Sequence, residues 1–253
     1  MHHTCAFSLS IAQNTDLDVT AITDSILTIQ NGHFLPPQDL KLWYIAAMSA
    51  NLARARIITP SLRIPSTPYI RPINLGAIPV DPQRVADYRG NPLTIRMMEE
   101  FQVNCVQTGA GAERVTVIAG LGIDPKPAPI GDIISMRGTS TTAAVANAWS
   151  TIAVTWQDTI PQGQYAVVGL EHQSTNAQAC RLNILNQYWR PGCVSVPTIA
   201  GFGQEMFRRG NLGEWGPFVS NYIPTVEVLC NGADASHEVY MYFVRTSGTP
   251  VVI

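Results

Sequence analysis

Short apolar runs with the two-residue period of a β-strand dominate this chain. Residues 103–105 and 226–230 alternate, so that one face of each run is apolar and carries the cysteines. Residues 115–118 and 239–244 are rich in β-branched and aromatic side chains, and each follows a Gly-Ala turn. The pattern therefore predicts two equivalent hairpins, one in each half of the chain.

Further strand signals occupy matching places in the two halves. Inner strands are predicted at 40–46 and 165–170, and opening strands at 25–29 and 150–156. Only 82–88 and 94–101 suit short helices. With 19 Gly and 18 Pro between short strands, the expected fold is all-β: two tandem jelly-roll sandwiches with long connecting loops and an N-terminal arm.

An internal repeat of about 120 residues accounts for this symmetry. Four blocks recur in the same order: Pro36–Arg56 with Pro161–Arg181 at an offset of 125, Tyr69–Pro72 with Tyr188–Pro191 at 119, Arg89–Asn91 with Arg209–Asn211 at 120, and Val103–Ala112 with Val226–Ala235 at 123. The alternative is that two β-rich segments share only their turn composition. The repeat predicts two whole domains.

The predicted division follows from the repeat and from proline-rich segments. We expect an N-terminal arm at 1–18, a first jelly roll at 19–122, a Pro-rich linker at 123–138 and a second jelly roll at 139–253. Prolines crowd residues 60–92 and predict a long, stiff connection, because proline cannot donate a hydrogen bond to a sheet.

Composition narrows the possible functions. Of 253 residues, 46% are apolar and only 13% charged, and Arg outnumbers Lys by 14 to 2, which favours extensive subunit contacts. A net charge of −2 leaves no basic field for sequence-specific nucleic-acid binding. Five cysteines without CxxC spacing argue against zinc and against a complete disulfide framework, so we expect reduced thiols. Residues 1–14 lack a signal-peptide pattern, and no eighteen-residue apolar stretch predicts a membrane span.

A chemical site is not evident in the sequence. The consecutive residues Ser236, His237 and Glu238 cannot form a nucleophile–base–acid relay, because neighbours in a strand or turn point apart. Glu99 and Glu100 do not form a catalytic pair of carboxylates, because adjacent side chains also point apart. The histidines lack the spacing of metal ligands. We predict no catalytic residue, no metal, no cofactor and no enzymatic activity.

Repeated arginines are the candidate functional residues. Arg71 and Arg190 stand in the two Tyr-x-Arg-Pro segments, and Arg89 and Arg209 in the two Arg-Gly-Asn segments. Each pair either contacts neighbouring subunits or caps a strand end within its own unit.

This organisation resembles the double jelly-roll major capsid proteins of tailless icosahedral viruses, the class that includes adenoviruses and membrane-containing tectivirus-like phages. The resemblance covers the whole chain as duplication, size and composition, since that family has no short sequence signature. It implies a viral major capsid protein, found in the virion of a bacteriophage and assembled in the host cytoplasm.

The resemblance also implies partners. A homotrimer of such chains is pseudo-hexagonal and contacts neighbouring capsomers and other capsid proteins of an icosahedral capsid. Whether an internal membrane lies beneath the shell stays open. One alternative is a tandem β-sandwich of a virion spike that binds a receptor or a carbohydrate. The others are a minor capsid protein and a metal-dependent bicupin-like enzyme.

Overall fold

The computed structural model describes residues 2–24, 27–48, 51–62, 69–70, 85–184, 189–196 and 207–247. Within these residues the chain is built of β-strands, with one 3-10 turn at Pro60–Leu62, so the predicted all-β fold is confirmed. No helix in the described part is long and apolar enough to cross a bilayer. Contacts divide the chain into two compact units, Thr4–Ile123 and Asp124–Ile253.

The first unit has a sheet of five of its strands, a sheet of four strands and a separate two-stranded hairpin. Its strands are β1 (His2–Ile11), β2 (Asp16–Val19), β3 (Thr28–Gln30), β4 (His33–Leu35), β5 (Leu40–Met48), β6 (Leu52–Ile58), β7 (Tyr69–Ile70), β8 (Val85–Asp87), β9 (Leu93–Ile95), β10 (Gln102–Gln107) and β11 (Glu113–Gly122). One sheet has the order β1-β11-β5, followed by β8 and β9, which pair with different parts of β5. The other has the order β2-β10-β6-β7, and β3 and β4 form a separate hairpin.

The second unit repeats this plan. Its strands are β12 (Ile133–Ser140), β13 (Trp149–Ile152), β14 (Thr155–Trp156), β15 (Gln164–Gln173), β16 (Ala177–Asn183), β17 (Trp189–Arg190), β18 (Gly192–Val194), β19 (Gly216–Val219), β20 (Thr225–Cys230) and β21 (His237–Ser247). The sheet orders are β14-β12-β21-β15-β19 and β13-β20-β16-β18. His2 and His3 cluster with this unit, where they pair in parallel with β17.

Both units have jelly-roll topology. When the eight principal strands of each unit are lettered B to I in chain order, both units give the same two sheets, B-I-D-G and C-H-E-F. Strand B is β1 or β12, D is β5 or β15, E is β6 or β16, H is β10 or β20, and I is β11 or β21. In this lettering β9 and β19 are the matching parts of strand G, since each pairs with the start of strand D.

Irregular details recur as well. Strand D carries a β-bulge at Trp43 in the first unit and at Val168 in the second, 125 residues later. Strand E carries one at Ala53 and at Gln178, again 125 residues apart. A bulge is a local departure from regular pairing that a β-sandwich does not require at a given place. Two bulges at matching positions therefore support a duplication rather than a shared composition.

The predicted N-terminal arm at 1–18 is wrong, because these residues supply strands B and C of the first sandwich. Cys5, Phe7 and Ile11 are fully buried in β1. After β1 the chain turns at Asn14 (φ 55°), whose N–H donates to the carbonyl of Gln107 (2.8 Å). The second unit has the same turn at Asn147 (φ 59°), whose N–H donates to the Cys230 carbonyl (2.7 Å).

Strands B and C of the first unit were mistaken for an arm because their offset from the second unit differs from that of the rest of the repeat. Asn14 and Asn147 are 133 residues apart, outside the range of 119 to 125 that the four sequence blocks follow. The predicted linker at 123–138 is also too long, since β12 begins at Ile133 and its residues pair with β21. The contact division falls between Ile123 and Asp124.

Two of the four sequence offsets are corrected by the strand registers. Arg56 lies opposite Tyr69 and Arg181 lies opposite Gly192, so strand F repeats at 123 and not at 119. The N–H of Tyr88 donates to the carbonyl of the bulge residue Trp43, and the N–H of Gly210 donates to that of Val168. These two donors are 122 residues apart, whereas the Arg-Gly-Asn match gives 120. The Tyr-x-Arg-Pro and Arg-Gly-Asn matches are therefore out of structural register.

A glycine faces a tyrosine at the same place in both sandwiches, with the roles of the strands exchanged. In the first unit Tyr44 of strand D lies opposite Gly120 of strand I, and a Cβ on that glycine would lie 2.2 Å from the tyrosine ring. In the second unit strand D has Gly169 and strand I has Tyr242. The pair thus keeps its total volume in both copies while the large residue changes strand.

Candidate functional site

A buried ion cluster lies on the C-H-E-F sheet of the second unit. Arg181 on β16 is 1% exposed, and its Nε donates to Glu227 Oε2 on β20 (2.6 Å). The other carboxylate oxygen of Glu227 accepts a hydrogen bond from the Arg190 guanidinium on β17. The guanidinium carbon of Arg181 lies 4.1 Å from the centre of the Trp149 ring. One carboxylate thus joins three strands.

The electrostatics of this cluster keep Glu227 ionised. Burial by itself raises the pKa of Glu227, but the charge of Arg181 and the hydrogen bond from Arg190 outweigh it, so the pKa lies below its ordinary value. Two cations on one carboxylate leave a net positive charge, and the Trp149 ring face is a favourable neighbour for the Arg181 cation. The arrangement binds strands together and offers no group for chemistry.

The first unit has a related but more open cluster. Arg56, the counterpart of Arg181, donates from Nε to Asn104 Oδ1 (3.0 Å). Asn104 stands where the second unit has Glu227, and its amide donates to Asp18 Oδ1 (3.1 Å). Arg54 forms an ion pair with Asp16 (2.7 Å), and both side chains are about two-fifths exposed. Because water screens such a pair, it contributes little to the stability of the fold.

The sequence-predicted arginines that lie among the described residues each have their own surroundings. Arg190 takes part in the buried cluster, where it bonds within its own unit. Arg89 pairs with Asp87 two residues away (2.6 Å), which fixes the turn after β8. Arg209 is exposed and has φ 50° in the turn before β19. Arg71 lies outside the described residues.

Arg181 and Glu227 were missed as functional candidates. The signal was present, since Arg56 and Arg181 match in the longest repeat block. A repeated arginine in an otherwise apolar strand indicates a buried partner, because arginine is almost never fully buried unless paired. The partner could not be named from sequence, since the cross-strand register sets it.

A second polar cluster lies on the core side of the other sheet of the second unit. Nδ1 of His172 on β15 and the Ser195 hydroxyl form a hydrogen bond (2.7 Å), and both residues are 1% exposed. The His172 ring stacks on His237 of β21 with 5.4 Å between ring centres. Burial, and then the neighbouring His237, lower the pKa of His172 to about 3. The first unit has Ala47 and Val115 at the two matching positions.

The His172–Ser195 contact does not form a catalytic relay. A base that activates a serine needs its other ring nitrogen oriented by an acid, and the serine must reach a substrate. His172 Nε2 is buried and has no hydrogen-bond partner in the part of the chain that the structure describes, and Ser195 is 1% exposed. Nearby, Asp234 holds two loops by accepting from the Ser174 hydroxyl (2.6 Å) and the Asn176 N–H (2.7 Å). The cluster therefore acts in packing and loop attachment.

Among the described residues, no group of three or more His, Cys, Asp or Glu side chains could hold a metal ion. The sequence argues against a relay of Ser236, His237 and Glu238, and in the structure Glu238 Oε1 instead accepts hydrogen bonds from Arg137 Nε (2.5 Å) and the Tyr240 hydroxyl (2.5 Å).

Comparison with known proteins gives little. No protein-family model matches the chain, and no curated protein matches it. Among solved structures, the chain is similar to the major capsid protein P2 from bacteriophage PM2, with 9% sequence identity, a TM-score of 0.25 and coverage of 98% of each chain. At that TM-score the strand order described above, and not this likeness, carries the fold assignment.

Proposed function

We propose that the protein is a structural subunit of a viral capsid, and more finely a major capsid protein that assembles into pseudo-hexagonal homotrimers of an icosahedral shell. One observation carries the proposal: a single chain contains two jelly rolls with the same strand order and the same two bulges. Jelly rolls are a common fold of viral capsid domains. A shell role accounts for the duplication itself.

The reason is geometric. Three identical chains related by a threefold axis present six similar lobes when each chain carries two sandwiches of one topology. Such a trimer can occupy a position with six neighbours while it obeys only threefold symmetry. A closed shell then needs neighbouring capsomers and other capsid proteins as partners, which places this chain in a virion, that of a bacteriophage in our proposal, after assembly in the host cytoplasm.

The polar clusters are consistent with a structural role and not an enzymatic one. Both described clusters tie strands or loops together, through Glu227 in one sheet and Asp234 at the loop end. We propose on this basis that the protein has no catalytic activity. The low charged fraction of 13% further favours a chain that buries surface against other subunits.

The test is the state of association of the purified full chain. Light scattering coupled to size exclusion gives the mass, and electron microscopy of negatively stained particles gives the outline. The proposal expects trimers of hexagonal outline, and in the native particle this protein as the most abundant species. A monomer that persists at high concentration, or a minor component of the particle, would contradict the major-capsid assignment.

A second candidate, a carbohydrate-binding sandwich of a virion spike, is favoured by one hollow in the second unit. It has a volume of about 220 Å³ and is lined mainly by hydroxyl and other hydrogen-bonding side chains, namely Thr139, Ser140, Thr141, Gln173, Ser174, Thr175, Ser236, His237 and Glu238. Hydroxyl groups both donate and accept, as sugar hydroxyls require. Glycan-array binding by a monomeric protein, abolished by Thr139→Val, would favour this candidate over the shell subunit.

A further inference from the structure

Two cysteines face each other in the core of the second sandwich. Cys180 on β16 lies directly opposite Cys193 on β18, in an antiparallel pair of strands. Both are fully buried and neither is bonded to another cysteine. The corresponding residues in the first unit are Ala55 and Ile70, which also lie opposite each other. The thiol pair is therefore a feature of the second unit alone.

The backbone spacing suits a disulfide. Leu182 N–H donates to the Pro191 carbonyl (2.8 Å), and Ser195 N–H donates to the Gln178 carbonyl (3.0 Å). These bonds lie two residues to either side of the cysteine pair. Because bonded pairs alternate along an antiparallel ladder, the cysteines occupy a pair of the wider kind, with Cα atoms about 5.5 Å apart.

That separation lies within the range of natural disulfides, for which Cα atoms are usually about 4.4–6.8 Å apart. In a hydrogen-bonded pair the Cβ atoms lie towards the upper end of about 4.5–5.5 Å, whereas a disulfide needs about 3.5–4.5 Å. Formation of a bond between the two sulfurs therefore needs rotation of the side chains and a local approach of β18, which lies at the edge of its sheet, towards β16.

We propose that Cys180 and Cys193 are a reversible dithiol that closes to an intrachain disulfide and fixes strand F to strand E in the second unit. The oxidant is a small disulfide such as oxidised glutathione. One cysteine thiolate attacks a sulfur of the oxidised glutathione, forms a mixed disulfide and releases one glutathione thiolate, which takes up the proton that the cysteine lost. The second cysteine, as its thiolate, then attacks the cysteine sulfur of the mixed disulfide and releases the other glutathione, which is protonated in the same way. In all, the protein loses two protons and two electrons, and the oxidised glutathione gains them as it becomes two reduced molecules. The inference is independent of the proposed function.

The same burial that brings the thiols together makes the reaction slow. Burial, and then the neighbouring Cys180, raise the pKa of Cys193 well above its ordinary value, so little thiolate is present near pH 7. Oxidant reaches the pair only when β18, a three-residue strand at the edge of its sheet, separates from β16. We expect oxidation over hours, and faster at pH 9 than at pH 7.

The experiment uses the folded full chain incubated with oxidised glutathione. The reaction is stopped with acid, free thiols are alkylated under denaturing conditions, and mass spectrometry counts them and maps the linked peptides. The expected result is loss of two of the five thiols and a peptide joining Cys180 to Cys193. Cys180→Ala, which copies the first unit, and Cys193→Ala should each abolish the link. Cys105→Ala, in the other unit, should leave it unchanged.

Three outcomes would overturn the proposal. They are retention of all five thiols after prolonged incubation at pH 9, glutathione attached to Cys180 and Cys193 separately without a link, and a link from Cys180 to Cys230, which lies on the neighbouring β20. Should one alanine variant fail to fold, the other and the peptide map of the unmodified chain still decide the matter.

Discussion

The stacked histidines predict that the second unit loses stability in mild acid. His172 is held neutral in the folded protein, with a pKa of about 3 against an ordinary value of 6.5. The unfolded chain takes up a proton near pH 6.5, whereas the folded chain does not until near pH 3. Stability is therefore complete above pH 6.5 and falls as the pH decreases towards 3, where the loss ends.

The size of the effect follows from the same two values. Between them, each pH unit lowers the free energy of unfolding by about 1.4 kcal/mol. From pH 6.5, where half of the unfolded chains already carry the proton, to pH 4.5 the loss is about 2.3 kcal/mol, which corresponds to a decrease of about 10 °C in the Tm of a unit of this size. The neighbouring His237 contributes, because a second imidazole 5.4 Å away disfavours a proton on the first.

Scanning calorimetry at pH 6.5 and pH 4.5 measures this, with His172→Leu as the matched variant. Carboxylates with lowered pKa, among them Asp234, also lose stability in acid, but they do so in both proteins. The difference between the two pH shifts isolates His172 and does not depend on how much the substitution itself destabilises the fold. Equal pH shifts in the two proteins would refute the reasoning.

Other predictions concern the strand contacts, each measured by urea unfolding. Glu227→Gln should lower the free energy of unfolding by about 3–5 kcal/mol, because it leaves buried guanidinium groups without a carboxylate. A decrease below about 1 kcal/mol would contradict a tightly bonded cluster. Gly120→Ala should cost about 1–3 kcal/mol through overpacking, whereas Gly90→Ala, with open space around its Cβ, should stay within about 0.5 kcal/mol. Asn14→Ala and Asn147→Ala should each cost about 1 kcal/mol, since both positions have positive φ; glycine there should restore the stability.

The sequence predicted the fold class because alternating apolar positions determine which face of a strand is buried. Strand D and the H–I hairpin were placed correctly in both units, and the repeat blocks at offsets 125 and 123 agree with the strand registers. Strand B of the first unit was not recognised. In this strand, His2–Ile11, the first seven residues are buried in succession, which means that both faces are covered. The strand therefore lacks the alternation of apolar and polar residues that marks a half-buried strand.

The polar clusters were less predictable than the fold. Arg190 was singled out for a Tyr-x-Arg-Pro match that is out of structural register, and its partner Glu227 lies 37 residues away on another strand. Likewise His172 and His237 carry no spacing that marks them in the sequence. Such pairs depend on long-range strand order, whereas a motif search examines only neighbours along the chain.

The exchanged glycine and tyrosine give the chain a means of telling its two halves apart while it folds. Tandem domains of one topology are prone to trade equivalent strands. If β11 and β21 changed places, Tyr44 would meet Tyr242 in one sandwich, and Gly169 would meet Gly120 in the other. The first hybrid would place two tyrosines side by side where Tyr44 is fully buried, and this overpacking disfavours the exchange of closing strands.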